Sequence, residues 1–212
     1  MQGVADFIQW CIDNLNYGTI TFLMAIESSF IPFPSEIVVA PAAWKAATGN
    51  ELNVFLIVFF STLGANIGAL INYGLAYFLG RPLVYRFANS KLGKICLLNK
   101  EKVEHAEEYF DNHGAISTIV GRLIPAVRQL ISIPAGLAKM NIWKFILYTT
   151  IGAGLWNSVL AAIGYSLASV PGIQTQEELV NKVAQSSHII GFALFLCVAI
   201  ALVIIVLQKR KK

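Results

Sequence analysis

Apolar residues run along this chain in blocks. Three of them, 54–79, 145–170 and 189–207, are long enough to cross about 30 Å of hydrocarbon as helices rising about 1.5 Å per residue. Two more, 19–47 and 115–138, are equally apolar at their ends but broken in the middle by proline and charge. The first breaks at Ile31-Pro32-Phe33-Pro34-Ser35-Glu36, the second at Arg122-Leu123-Ile124-Pro125-Ala126-Val127-Arg128. Arms of roughly ten residues make about 15 Å of helix, half the thickness of the core, so each block predicts a re-entrant hairpin that enters and leaves by one face. Pro32, Pro34, Ser35 and Pro125 mark the turning points. In 1–17 the pattern changes: Val4, Phe7, Ile8, Cys11, Ile12 and Leu15 follow the i, i+3, i+4 spacing of an amphipathic surface helix.

Composition decides the medium. The chain is 56% hydrophobic and 13% charged, about half the charge of a typical water-soluble domain. The 212 residues therefore predict one all-α integral membrane domain, with two hairpins, about three transmembrane helices and amphipathic surface segments. The N-terminus has no basic region and carries Asp6 and Asp13, unlike a cleavable signal peptide. Cys11, Cys96 and Cys197 are scattered and odd in number, which points to packing, not to disulfides or zinc.

Charge orients the blocks, because Lys and Arg are retained on the cytoplasmic side. The tail 208–212 puts the C-terminus inside, and 81–113, with Arg81, Arg86, Lys91, Lys94, Lys100 and Lys102, becomes a cytoplasmic surface segment. The hairpin 19–47 then dips in from outside and 115–138 from the cytoplasm. Twelve basic residues fall inside, two outside (Lys45 and Lys182) and two, Arg122 and Arg128, within the membrane. A broken hairpin followed by a glycine-bearing span thus occurs twice in opposite orientations, the pattern of transporters that bind substrate where inverted repeats meet.

The chemistry concentrates in four intramembrane charges. Glu27 and Glu36 flank the first break, where Ser35 is placed to cap the returning helix; Arg122 and Arg128 flank the second. Intramembrane ionisable groups are costly and mark functional sites, although mutual salt bridging that lets the hairpins insert is the plainer alternative. Arginine's planar fork suits phosphate, and a carboxylate in low dielectric suits proton carriage. Gly64, Gly68, Gly152, Gly154 and Trp156 predict close helix packing, and Asn66, Asn72 and Asn157 predict interhelical hydrogen bonds or a polar path. Glu101, His105 and Glu108 share a helix face that reads as solvated, and His113 as an interfacial histidine, so no metal or cofactor is expected.

The ordered set Glu27, Pro32-Phe33-Pro34-Ser35-Glu36, Tyr77-Phe78-Leu79-Gly80-Arg81, Gly121-Arg122-Leu123-Ile124-Pro125-Ala126-Val127-Arg128, Ala135-Gly136-Leu137-Ala138-Lys139-Met140, Phe145, Gly152 and Trp156 resembles the DedA family of bacterial membrane proteins, also called the VTT family. Many members carry Gly-Asp where this chain has Asn72-Tyr73. The resemblance implies a multi-pass protein of the bacterial cytoplasmic membrane that moves a phosphate-bearing lipid, undecaprenyl phosphate or phosphatidylethanolamine. It implies a functional acidic pair at Glu27 and Glu36 and an arginine pair at Arg122 and Arg128, which side-chain chemistry reads as proton-coupling and phosphate-binding groups. The same charges fit a proton-coupled exporter of small solutes. A lipid-modifying enzyme ranks last, for want of a nucleophile–histidine pairing. Lipid and protons are the expected partners, nucleic acid is not, and a homodimer is left open.

Overall fold

The computed structural model describes residues 10–11, 13–29, 35–49, 52–88, 90, 114, 116–124, 127–169, 178–179 and 182–183. All regular structure among them is helical: α1 (Tyr17–Glu27), α2 (Glu36–Ala47), α3 (Val54–Ala88), a helical segment 116–123, α4 (Ser132–Leu137) and α5 (Ile142–Leu167). Pro32, Pro34 and Pro125, the span 189–207, the tail 208–212, the Glu101–His105–Glu108 face and His113 lie outside the described residues.

Local chemistry sets several boundaries. Asn16 opens α1 with a capping box: its side chain accepts from the backbone of Gly18 and Thr19, and the Thr19 hydroxyl accepts from Asn16 N–H. This starts the helix two residues before the apolar block. The Asn141 side chain caps α5, accepting from Trp143 and Lys144, so the second long helix runs 142–167 and not 145–170. Gly80, at φ 69°, breaks α3 where the apolar block ends, a left-handed conformation that glycine adopts without steric cost. The stretches Val54–Gly80 and Ile142–Leu167, 27 and 26 residues, are the two described helices long and apolar enough to cross a membrane.

The second broken block departs from expectation. Its returning arm is not ten residues of helix but α4, six residues long, reached through turns in which Arg128 and Ile131 N–H bond the carbonyls of Ile124 and Val127. Two prolines, Pro125 and Pro134, lie within ten positions of one another in this stretch, and each removes a helical donor.

Glycine-mediated contacts fix how the helices run. Gly64 and Gly68 of α3 lie so close to Thr21 and Ala25 of α1 that an added Cβ would come 2.3 Å from each carbonyl oxygen, so α1 and α3 run in the same direction. On α5, Gly152 sits against Ile119 and Arg122, and Gly164 against Ala40 of α2. Because Ser35 lies at Trp156 and Ala40 at Gly164, α2 runs with α5. Asn157 bonds Thr62 and Thr150 bonds Asn66, which makes α3 and α5 antiparallel. The chain therefore reverses between Glu27 and Glu36. Gly136 of α4 packs on Tyr73 and Ala76 of α3. In each half the first short arm rests on the long helix that follows it, and the second arm rests on the long helix of the other half.

One core joins Ile20, Leu23 and Met24 of α1 to Val38, Val39 and Ala43 of α2 and to Trp156, Leu160 and Ala161 of α5, with Cys11 buried at its edge. A second joins Ala69, Tyr73, Ile131, Ala135 and Phe145. Phe55, Phe59, Leu63, Ile67, Ile71 and Leu75 are exposed at four-residue intervals along α3. On a helix of membrane length such an apolar stripe is a surface for lipid.

Candidate functional site

The packing brings the charged residues to one depth. Gly68, which touches Ser28, is the fifteenth of the 27 residues Val54–Gly80, and Trp156 is the fifteenth of the 26 residues Ile142–Leu167. Glu27 ends α1 beside the first; Arg128 lies over the second. All four charges are enclosed: Glu27 is 2% exposed, Glu36 7%, Arg122 3% and Arg128 8%.

Their pairing is unequal. Arg128 Nη2 meets Glu27 Oε1 at 2.5 Å, while the Ser28 hydroxyl donates to Glu27 Oε2 at 2.9 Å. The guanidinium carbon of Arg128 stands 5.5 Å from the centre of the Trp156 ring, within cation–π range. Arg122 is held differently, donating from Nη2 to the hydroxyl of Ser132, the first residue of α4, at 2.9 Å. No described carboxylate comes within 4.0 Å of it, although Glu27 and Arg128 both lie within its coulombic reach. The side chain of Glu36, the first residue of α2, makes no hydrogen bond or ion pair with a described residue. Of the expected meeting of two acids with two arginines, one ion pair is present.

Ser35 corrects a second expectation. Its backbone is already helical, at φ −63° and ψ −21°, and its side chain caps nothing. A capping side chain needs an extended backbone to reach back to the first helical N–H groups. The Ser35 hydroxyl instead accepts from Trp156 Nε1 at 3.3 Å. Trp156 therefore touches Arg128 with its ring face and Ser35 with its N–H. Its place midway along an apolar block predicts close packing and carries no signal of either contact.

Polar side chains surround this centre. Asn157 donates to Thr62 and Thr150 to Asn66, each at 3.3 Å, which settles those asparagines as interhelical bonds. Several buried polar atoms have no hydrogen-bond partner among the described residues: Arg122 Nε, Arg128 Nε, Ser117 Oγ, Thr149 Oγ1 and Asn72 Oδ1. Leaving such atoms unpaired costs about 1–3 kcal/mol each, more for charged groups. The centre thus offers guanidinium donors to an incoming anion. Among the described residues no group of three or more His, Cys, Asp or Glu could hold a metal ion.

An enclosed acid–arginine centre beside two helices of membrane length defines the class, and the VTT domain model matches residues 33–166. The chain belongs to this family, the DedA family of membrane proteins. It is 32% identical over 195 residues to an alkaline phosphatase-like protein of Lactococcus lactis subsp. cremoris, covering 90% of this chain and 91% of the relative. It is 29% identical to undecaprenyl phosphate transporter A of Staphylococcus aureus, covering 76% and 79% of the two chains. Protein DedA of Escherichia coli is also 29% identical, over 73% of this chain and 67% of its own. No solved structure matches the chain.

Proposed function

We propose that this protein is a transporter that moves a phosphate-bearing lipid, undecaprenyl phosphate or phosphatidylethanolamine, across the bacterial cytoplasmic membrane, coupled to protons. The observation that carries the proposal is Arg122, an enclosed cation without a carboxylate partner among the described residues, beside the Glu27–Arg128 pair at the middle of two membrane-length helices. A buried charge is tolerable when an opposite charge meets it, and a lipid phosphate supplies one. Two undecaprenyl phosphate transporters among the relatives support the choice of cargo.

In this reading the phosphate docks on Arg122, competes for Arg128, and frees Glu27. The released carboxylate, out of water, takes up a proton. Glu36, which has no ion pair among the described residues, is the second candidate carrier. The reversal of the chain between Glu27 and Glu36, with arms of 11 and 12 residues, supports a re-entrant hairpin. The positive-inside pattern supports a cytoplasmic C-terminus.

The test is lipid movement by purified protein in vesicles, with and without an imposed pH gradient. Arg122→Lys and Arg128→Lys keep charge but lose the fork, and each should slow transport strongly. Glu27→Gln and Glu36→Gln should keep lipid binding and lose the response to the gradient. Full activity in both lysine variants removes phosphate recognition and favours a proton-coupled exporter of small solutes. Release of inorganic phosphate from the lipid favours an enzyme instead.

A further inference from the structure

Asn72 sits on α3, 1% exposed, two-thirds of the way along Val54–Gly80. Its Nδ2 lies 3.2 Å from the carbonyl oxygen of Ser28 and 3.4 Å from that of Gln129. Carbonyl oxygens only accept, so the amide nitrogen must face them and the side chain has one orientation. Ser28 immediately follows Glu27, and Gln129 immediately follows Arg128. The two hydrogens of one amide thus tie together the backbone at each partner of the buried ion pair.

We propose that Asn72 is the positioning residue of this centre: it sets the separation of the two broken blocks and so holds Glu27 and Arg128 in contact. The pair itself does not fix that separation, because both side chains are long and Arg128 has a second resting surface on Trp156. Asn72 acts on backbone instead. Both carbonyls bond one nitrogen, which keeps the two oxygens within 6.6 Å of each other, the sum of 3.2 and 3.4 Å. Aspartate is nearly isosteric, yet it presents an oxygen to both carbonyls, breaks both bonds and adds a negative charge near Arg128. Asparagine is the residue of this size that can supply two donors there. The consequence for transport rests on the proposed function; the tie between the two blocks does not.

The experiment separates them. In full-length protein with Cys11, Cys96 and Cys197 replaced by alanine, Ser29→Cys and Gln129→Cys place thiols beside the bridge without touching Asn72, Glu27 or Arg128. The rate of cross-linking by a short bis-maleimide reports the separation in detergent, with no transport involved. Asn72→Asp and Asn72→Ala should each lower that rate about tenfold, the change expected from losing two hydrogen bonds of ordinary net strength. Ser166→Ala, which removes an exposed hydroxyl bonded only to Ala162 within α5, should leave it unchanged. Cross-linking at the parent rate in Asn72→Ala overturns the proposal, and that variant deletes only a small side chain if the aspartate fails to fold. In vesicles, Asn72→Ala should also weaken the response of lipid movement to an imposed pH gradient, because the proposed exchange of partners then works on a pair no longer held together. A purely structural role lowers the folded yield and leaves the response per folded molecule in place. Vesicles in which the parent moves no lipid, with cross-linking still lost in Asn72→Ala, overturn the transport reading and leave the tie standing.

Discussion

Arg128 Nη2 reaches Glu27 Oε1 at 2.5 Å across a sequence separation of 101 residues, and this contact joins the first broken block to the second. Each residue lies beside a break in its own block. A buried pair of this kind repays its desolvation only while both partners are present.

Glu27→Gln should therefore lower stability by about 3–5 kcal/mol, the typical cost of stranding a buried charge. The double variant with Arg128→Gln should recover a large part of that loss. Glu36→Gln breaks no described ion pair and should cost much less. Denaturant titration in lipid–detergent micelles compares the three.

Trp156 provides a second check on the centre. Trp156→Phe keeps an aromatic face for Arg128 but removes the donor to Ser35, whereas Trp156→Leu removes both. If the ring steadies the arginine, transport should fall modestly in Phe and by about tenfold or more in Leu, with Ser35→Ala matching Phe; the cation–π term of about 1–2 kcal/mol sets that scale. Equal losses in Phe and Leu would assign the effect to the N–H alone.

Glycines separate close contact from open space. A Cβ at residue 164 would lie 2.2 Å from the Ala40 carbonyl oxygen, while one at residue 74 would meet nothing within 4 Å. Gly164→Ala should destabilise by about 1–3 kcal/mol through overpacking. Gly74→Ala should be neutral or stabilising by up to about 1 kcal/mol, the helix propensity gained. Thermal unfolding followed by circular dichroism reads both.

Topology is testable by labelling. Single cysteines near Ala47 and Gln174 should react with an impermeant thiol reagent in intact cells, and those near Lys100 or Lys209 only after permeabilisation. Labelling near Lys100 from outside would overturn the proposed hairpin orientation.

The order of apolar blocks, the ends of the first long helix and the four charges at the two breaks were legible in the residues themselves. Hydropathy and helix breaking are local: twenty apolar residues or a left-handed glycine such as Gly80 have the same meaning wherever the rest of the chain lies. Membership of the DedA family was also written there, in short motifs spaced along one strand of text. What the tertiary structure decided is partnership. Glu27 takes Arg128, Arg122 takes Ser132, Ser35 serves Trp156 and not its own helix, and Asn72 bridges Ser28 and Gln129. None of these follows from spacing, because each joins residues whose separation depends on how closely helices pack at Gly64, Gly68, Gly152 and Gly164. A hydrogen bond forms only within a narrow range of distance and angle, and that geometry is a property of the packed whole.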